Sequence, residues 1–448
     1  MISRRHLLGT TAAAAAASSL AHVAIADEPA TRPAGVPAHP KISESPRFAP
    51  ADVRLSTDAL PKHEGRPLKL AVIATVWRPT SHADHIATKF IRGYTILGRP
   101  HRPPTEVVSL HLQQQPPADI GAAMASQYRI RLCPTIAEAL TLGTDTLAVD
   151  GVLLIGEHGD YPYNDKGQQL YPRKEMFEEI VQVFERTGKS CPVFCDKGLS
   201  YEWAKAEWMV QQHKRLGFAM MGGSSVPLTW RRPPLKFERG IELETALAIG
   251  GFERDAYGFH CLEVLQSFVE ARSAGGIGVK RVHTLAGQAA WDAAERGEWR
   301  LDLLRAALMC MDESIGARGP AAAKLSLDEL RKLEPDPCVF LLTYADDFRA
   351  AVYMSPVAKI TTEFGFAAKV KGLDTPAATW CHLPRLIDDH FSFLCNEIEV
   401  MFRTGKPPIP IERTLLTSGA LEAVHDSLAL QKPIDTPHLA DIRYDPPA

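Results

Sequence analysis

The chain of 448 residues has no run of five or more basic residues, and its 50 Lys and Arg nearly balance its 53 Asp and Glu for a formal net charge of −3. That removes the electrostatic footprint of a nucleic-acid binder. Its 8 cysteines include no C-x-x-C pair, so neither a zinc ribbon nor a thioredoxin-type motif is present. Cys191 and Cys195 stand four apart on an apolar run, about 13 Å at strand rise and beyond disulfide reach. The cysteines read as small buried residues. What is present is ordinary for a globular protein: 45% apolar and 23% charged residues, in a chain long enough for two domains. A small molecule or a neutral polymer is the expected partner.

Residues 1–26, "MISRRHLLGTTAAAAAASSLAHVAIA", combine Arg4-Arg5, an Ala-rich apolar core and a small-residue cleavage site before Asp27, the pattern of a twin-arginine signal peptide. The alternative is an uncleaved anchor, against which the short Ala-rich core argues. The expected location is periplasmic or otherwise extracytoplasmic, with no membrane partner after cleavage. Such leaders serve chains that fold before export, which suits a protein loading a cofactor in the cytoplasm. Residues 27–66 recur in proline without an apolar period and read as a linker.

From Leu68 short apolar runs alternate with helical periods. "LKLAVIATV", "TEVVSLHL", "RIRL", "VDGVLLIG", "CPVFCDKG" and "GFAMMGGSS" read as strands. "DIGAAMASQY", "TIAEAL" capped by Thr135, the period through Met176, Phe177, Ile180, Val181 and Phe184, and residues 201–216 read as helices. Alternation at this spacing implies right-handed crossovers and a doubly wound parallel sheet, a Rossmann-like domain over residues 67–228. Beyond Trp230 the rhythm breaks. A helix over residues 257–272, the strands "CVFLLTY", "RAAVYMS" and "FGFAAKVKG", and helices over residues 391–402 and 413–428 imply an α+β domain over residues 229–448, with a mostly antiparallel sheet for substrate binding or oligomerisation.

In such a sheet the ligand crevice lies beyond the carboxyl ends of the strands. Four junctions there are polar: "WRPTSHADH", "GEHGDYPYNDKG", "DKGLS" and "GFHCLE". With "CPTIAEAL" ahead of "VDGVLLI", and "CPVFCDKG" ahead of "YGFHCLEVLQSF", the order of motifs resembles the Gfo/Idh/MocA oxidoreductases over residues 68–428. The resemblance implies a nicotinamide dinucleotide, NAD or NADP, on the first domain and a sugar or polyol as substrate. It also implies homo-oligomers built through the open face of the second sheet.

By position, Lys197 matches the family's catalytic lysine and His260 its histidine, while Asp196 stands at its glutamate and Glu263 at its aspartate. A cation near the reacting oxygen and a group titrating near neutrality suit removal of hydride from a carbinol carbon. The alternatives are a solvated lysine at a strand end and a satisfied core histidine. Ala256 replaces the acid expected four residues before His260, and Asp255 falls on another helix face. Gly198 replaces a proline.

The glycine fingerprint of a dinucleotide turn is missing between Ala74 and Ser81, where Trp77, Arg78 and Pro79 stand. Contacts to a cofactor then fall to Thr75, Arg78, Ser81, Gly156 and Asp196, with Gln113 or Gln114 in place of a ribose-binding acid. His82, His85, Glu157, His158 and Asp160 offer an alternative set of ligands for a divalent metal. A metal-assisted lyase, isomerase or hydrolase without NAD, or a noncatalytic carbohydrate-binding protein, are therefore competing readings.

Overall fold

The computed structural model describes residues 42–43, 55–272, 278–312, 318–384 and 389–447. The leader and most of the linker lie outside the described residues.

The first sheet is built from β1 (Leu68–Ala74), β2 (Thr105–Leu112), β3 (Arg131–Leu132), β4 (Gly151–Ile155), β5 (Val193–Asp196) and β6 (Met220–Gly223). Residues 70–74 of β1 and all of β4 are apolar and buried, as strands covered on both faces must be. The order is β3-β2-β1-β4-β5-β6, with each neighbouring pair parallel. This is the doubly wound order, and it reverses between β1 and β4. Helices α1 (His82–Arg92), α2 (Gly121–Tyr128), α3 (Ile136–Thr141), α4 (Arg173–Thr187) and α5 (Trp203–Leu216) make the crossovers. Thr135 caps α3, accepting from Glu138 N at 3.1 Å. Ser81 caps α1 in the same way.

The second sheet contains β7 (Trp230–Arg232), β8 (Leu243–Gly251), β9 (Val279–Ala286), β10 (Cys338–Tyr344), β11 (Arg349–Ser355), β12 (Phe364–Val370), β13 (Ala377–His382) and β14 (Ile434–Asp435). Its order is β7-β13-β12-β8-β11-β10-β9-β14. Among the described residues every pair is antiparallel except β8 with β11.

Side chains alternate along these strands. Ala246, Ala248, Phe340, Val352 and Phe366 pack with α6 (Ala256–Val269). Leu247, Ile249, Val339, Tyr353 and Ala367 pack on the other face with residues of α7 (Gln288–Glu295), α8 (Leu301–Met309), α9 (Gly319–Ala323) and α10 (Leu327–Leu333).

The last two long helices return to the first sheet. Phe391, Leu394, Ile398 and Met401 of α11 (Asp389–Thr404) share a core with Leu70 and Val72. In α12 (Ile411–Leu430), Ile411 and Leu415 join the core around Cys195 and Met220, while Leu416 and Ala420 join that of the second sheet. The eight cysteines are unpaired and all but Cys310 are buried, as small apolar residues are expected to be. No described helix is long and apolar enough to cross a membrane.

Candidate active site

The reversal between β1 and β4 puts a crevice outside their carboxyl ends. There the turn after β1, the loop after β4, the end of β5 and the start of α6 come together.

Lys197 follows the last residue of β5 and is 5% exposed. Its backbone is left-handed, φ 61, a conformation costing a non-glycine residue about 1–2 kcal/mol. Two hydrogen bonds with Gly223 hold it there: Lys197 N donates to Gly223 O at 3.2 Å, and Gly223 N to Lys197 O at 3.0 Å. The ammonium is thereby aimed at Glu157, donating to Oε1 at 2.8 Å, while Arg173 donates to Oε2 at 2.6 Å. Burial opposes the charge of Glu157, but Lys197 and Arg173 outweigh it and hold the carboxyl well below its usual range. Lys197 is therefore a fixed cation rather than a solvated one. Gly156 serves the same group, since a Cβ there would lie 2.6 Å from Arg173 Cγ.

Beside this trio stand three imidazoles. His82, the first residue of α1, donates from Nδ1 to Asp196 Oδ2 at 2.7 Å. Its ring centroid lies 5.5 Å from that of His158 and 6.4 Å from that of His260. His260 Nδ1 lies 2.6 Å from Ser224 Oγ. Burial first, then Lys197 and His82, push His260 well below the ordinary histidine value. His158 is brought down to about 4, mainly by burial, and its buried Nε2 has no hydrogen-bond partner among the described residues. At neutral pH both rings are uncharged.

Lys197, His260 and Asp196 thus fall in one cluster around His82. Glu263 turns away, accepting from Thr417 Oγ1 at 2.5 Å and Ser224 N at 3.3 Å, and burial raises its carboxyl. Asp255 accepts from Gln169 N at 2.8 Å and lies 3.4 Å from His425, on the separate face its spacing implies.

The turn after β1 tests the dinucleotide. Trp77 is fully buried. Its backbone N donates to Asp119 Oδ2 at 2.6 Å and its indole to Asp84 Oδ1 at 3.2 Å. Thr80 N donates to Asp84 Oδ2 at 3.0 Å, Arg78 N to Ser81 Oγ at 3.1 Å, and Thr75 Oγ1 to Glu157 O at 2.7 Å. A diphosphate is held at such a turn by free N–H groups and the helix N-terminus. Here the carboxylates of Asp119 and Asp84 hold the N–H groups of Trp77 and Thr80 and stand as like charges against an anion.

At the end of β2 Gln113 accepts from the Tyr161 hydroxyl, and Gln114 exchanges two bonds with the backbone of Asp160, at 3.0 and 2.9 Å. The side chains expected to meet a ribose close the loop after β4 instead. The residues of this turn do not fit a dinucleotide diphosphate. Of the expected phosphate contacts, Arg78 instead contributes positive charge near His158.

The metal alternative fares no better. Among the described residues no group of three or more His, Cys, Asp or Glu is placed to hold a metal ion. His85 stacks on Phe391 with centroids 4.7 Å apart.

The hollow beside Lys197, walled by Glu157, Arg173, Tyr171, Tyr201 and Phe259, is about 30 Å³, room for a water or two. A larger one of about 680 Å³, lined by Leu55, Arg231, Phe237, Phe268 and Arg413, contains none of the candidate residues. Sequence reasoning missed Arg173 and Ser224. Neither lies in a quoted junction with a chemical signature, and both reach the site only through tertiary packing.

The chain matches no protein-family model, and no curated protein matches it in sequence. Its fold matches solved structures. A myo-inositol 2-dehydrogenase from Lactobacillus plantarum aligns at TM-score 0.51 and 9% identity, covering 83% of this chain and 99% of that one. GenD2 from gentamicin A biosynthesis, in complex with NAD, aligns at 0.52 and 11%, covering 84% and 98%. An oxidoreductase from Agrobacterium radiobacter, in complex with NAD+, L-tartaric acid and magnesium, aligns at 0.50 and 13%, covering 82% and 98%. The chain therefore has the two-sheet fold of these oxidoreductases, the architecture implied by its Gfo/Idh/MocA-like motif order.

Proposed function

We propose that this chain is an enzyme of the oxidoreductase fold that acts on a sugar or polyol by proton transfer at a hydroxyl-bearing carbon. The observation that carries the reading is the gathering of Lys197, His82, His158 and His260 around two buried carboxylates at the exit edge of the parallel sheet. The Lys197 ammonium, held by Glu157, stabilises negative charge building on a substrate oxygen. An imidazole beside it accepts or returns the proton.

Oxidation or reduction with NAD or NADP is supported by the fold, since two of the structures named above are NAD complexes. A second, redox-neutral reading, a lyase or isomerase without nucleotide, is favoured by Asp84 and Asp119 holding the donors of the β1 turn. Export through the Arg4-Arg5 leader belongs to the same proposal and is tested by cell fractionation.

One preparation separates the readings. The purified protein is denatured and the supernatant assayed for nicotinamide nucleotide, while the native protein is screened for turnover of sugars and polyols. Stoichiometric nucleotide carries the oxidoreductase; turnover with no nucleotide bound or required carries the redox-neutral enzyme. In either case Lys197→Ala is expected to lower turnover by about 10²-fold or more, and unchanged turnover rejects the site.

A further inference from the structure

We propose that His82 is the proton-transferring base of this site and that Asp196 positions it. The proposal rests on the sugar or polyol reading above and deepens it by naming the base. Lys197 and His260 carry proton handling by motif position, yet neither is equipped as the base. The Lys197 ammonium is bound to Glu157 and has no lone pair to offer, and the Nδ1 of His260 meets only the neutral hydroxyl of Ser224, which cannot stabilise an imidazolium as a carboxylate does.

His82 is arranged otherwise. Asp196 is the last residue of β5 and 1% exposed, so its position is set by the sheet. A carboxylate on Nδ1 holds the imidazole in the tautomer whose Nε2 carries a lone pair. The ring itself is clamped, edge-on to Phe391 at 5.1 Å and to His158 at 5.5 Å. Its backbone is fixed by the first turn of a helix capped by Ser81. Among the described residues Nε2 has no hydrogen-bond partner.

An oriented imidazole with one nitrogen on a buried carboxylate and the other open is the arrangement of a general base. The ring also stands directly at the start of α1, beside the turn whose donors Asp84 and Asp119 occupy.

The step balances as a simple proton transfer. The Nε2 lone pair takes the proton of a substrate hydroxyl, the O–H bond breaks, and the oxygen keeps the electron pair as an alkoxide facing the Lys197 ammonium. Asp196 stabilises the imidazolium so formed, and reversal returns the proton.

The test uses the purified full chain labelled with 15N-histidine. The His82 ring, identified by its loss in His82→Gln, is expected to carry its proton on Nδ1 in the unmodified protein and on Nε2 in Asp196→Asn. Carbethoxylation of His82 by diethyl pyrocarbonate, mapped by mass spectrometry, is expected to slow about tenfold in Asp196→Asn, because the wrong tautomer offers no lone pair at the open nitrogen. On a sugar or polyol turned over in the screen, His82→Gln is expected to lower kcat by about 10²–10⁴ with little change in KM.

A proton on Nε2 in the unmodified protein, or turnover that survives His82→Gln, overturns the proposal. The first is read in the unmodified protein, where His82→Gln serves only to identify the signal and need not be active. An Nδ1–H tautomer in a protein inert toward every sugar and polyol supports the pairing and rejects the substrate class instead.

Discussion

At the scale of single residues the protonation of the site is imposed by burial for His158 and His260 and by neighbouring cations, against burial, for Glu157, and that makes it sensitive to acid. The folded-state value of Glu157 is depressed. Its contribution to stability is therefore present above the unfolded carboxylate value and is lost as pH falls toward the folded one. His158, lowered to about 4, and His260, lowered well below its ordinary value, act in the same direction. Below about pH 6.5 the unfolded chain takes up protons that the folded rings refuse. Stability is expected to fall between about pH 7 and pH 4, by about 1.4 kcal/mol per pH unit for each group inside its window. Urea midpoints along a pH series measure this, and His158→Gln is expected to flatten the slope. A midpoint constant over that range would refute the assignment of these groups.

Some of this was legible beforehand. Lys197 and His260 were placed together because the order of motifs resembles a fold in which strand ends converge. The partners were not, because a spacing of 114 residues between His82 and Asp196 says nothing about distance. Asp196 stands among the cofactor contacts and His82 among the alternative ligands, and neither motif announces that the two side chains meet at 2.7 Å.

Among secondary-structure elements, α12 does more than close the fold, because it carries the buried ion pair that joins it to the end of α6. Arg413 donates from Nε to Glu270 Oε2 at 2.9 Å and from a second nitrogen to Oε1. Tyr444 donates to Glu270 Oε2 at 2.7 Å. Burial opposes the guanidinium charge, but Glu270 outweighs it and raises the group above its ordinary value. Arg413→Met leaves a buried carboxylate without its cation and is expected to cost about 3–5 kcal/mol in urea unfolding. Glu270→Gln combined with Arg413→Met is expected to cost less than the single change, since no lone charge remains. A single-variant cost below about 1 kcal/mol would show that the pair holds nothing together.

Legibility at this scale followed composition. Thr135 and the apolar periods announced the helices of the first part, and bulky apolar runs such as "CVFLLTY" announced their strands. Strand β8, "LETALAIGG", carried no such signal. Its small residues answer a tertiary demand: a Cβ on Gly250 would lie 2.4 Å from Cys261 Sγ of α6, so the strand is poor in the bulky types that mark strands in sequence.

For the molecule as a whole, the decisive feature is that the second sheet has no open face among the described residues. The family resemblance implies assembly through that face. Here Leu247, Ile249, Tyr353 and Trp380 are covered by Trp291, Trp299, Leu303, Leu304 and Leu330. Trp291, Trp380 and Tyr353 are among the largest fully buried side chains of the chain.

A stable interface buries typically about 800 Å² of accessible surface on each partner, and its core is apolar. A helical layer that has already buried this surface takes away the driving force and the shape for pairing there. Pairing through this face is therefore not expected, and hydrogen exchange of Leu247, Ile249 and Tyr353 is expected to stay the same across a range of protein concentrations. A stable dimer whose hydrogen-exchange protection maps to residues 288–333 would mean that this layer is itself an interface. The covering helices would then extend the assembly surface of the fold rather than replace it.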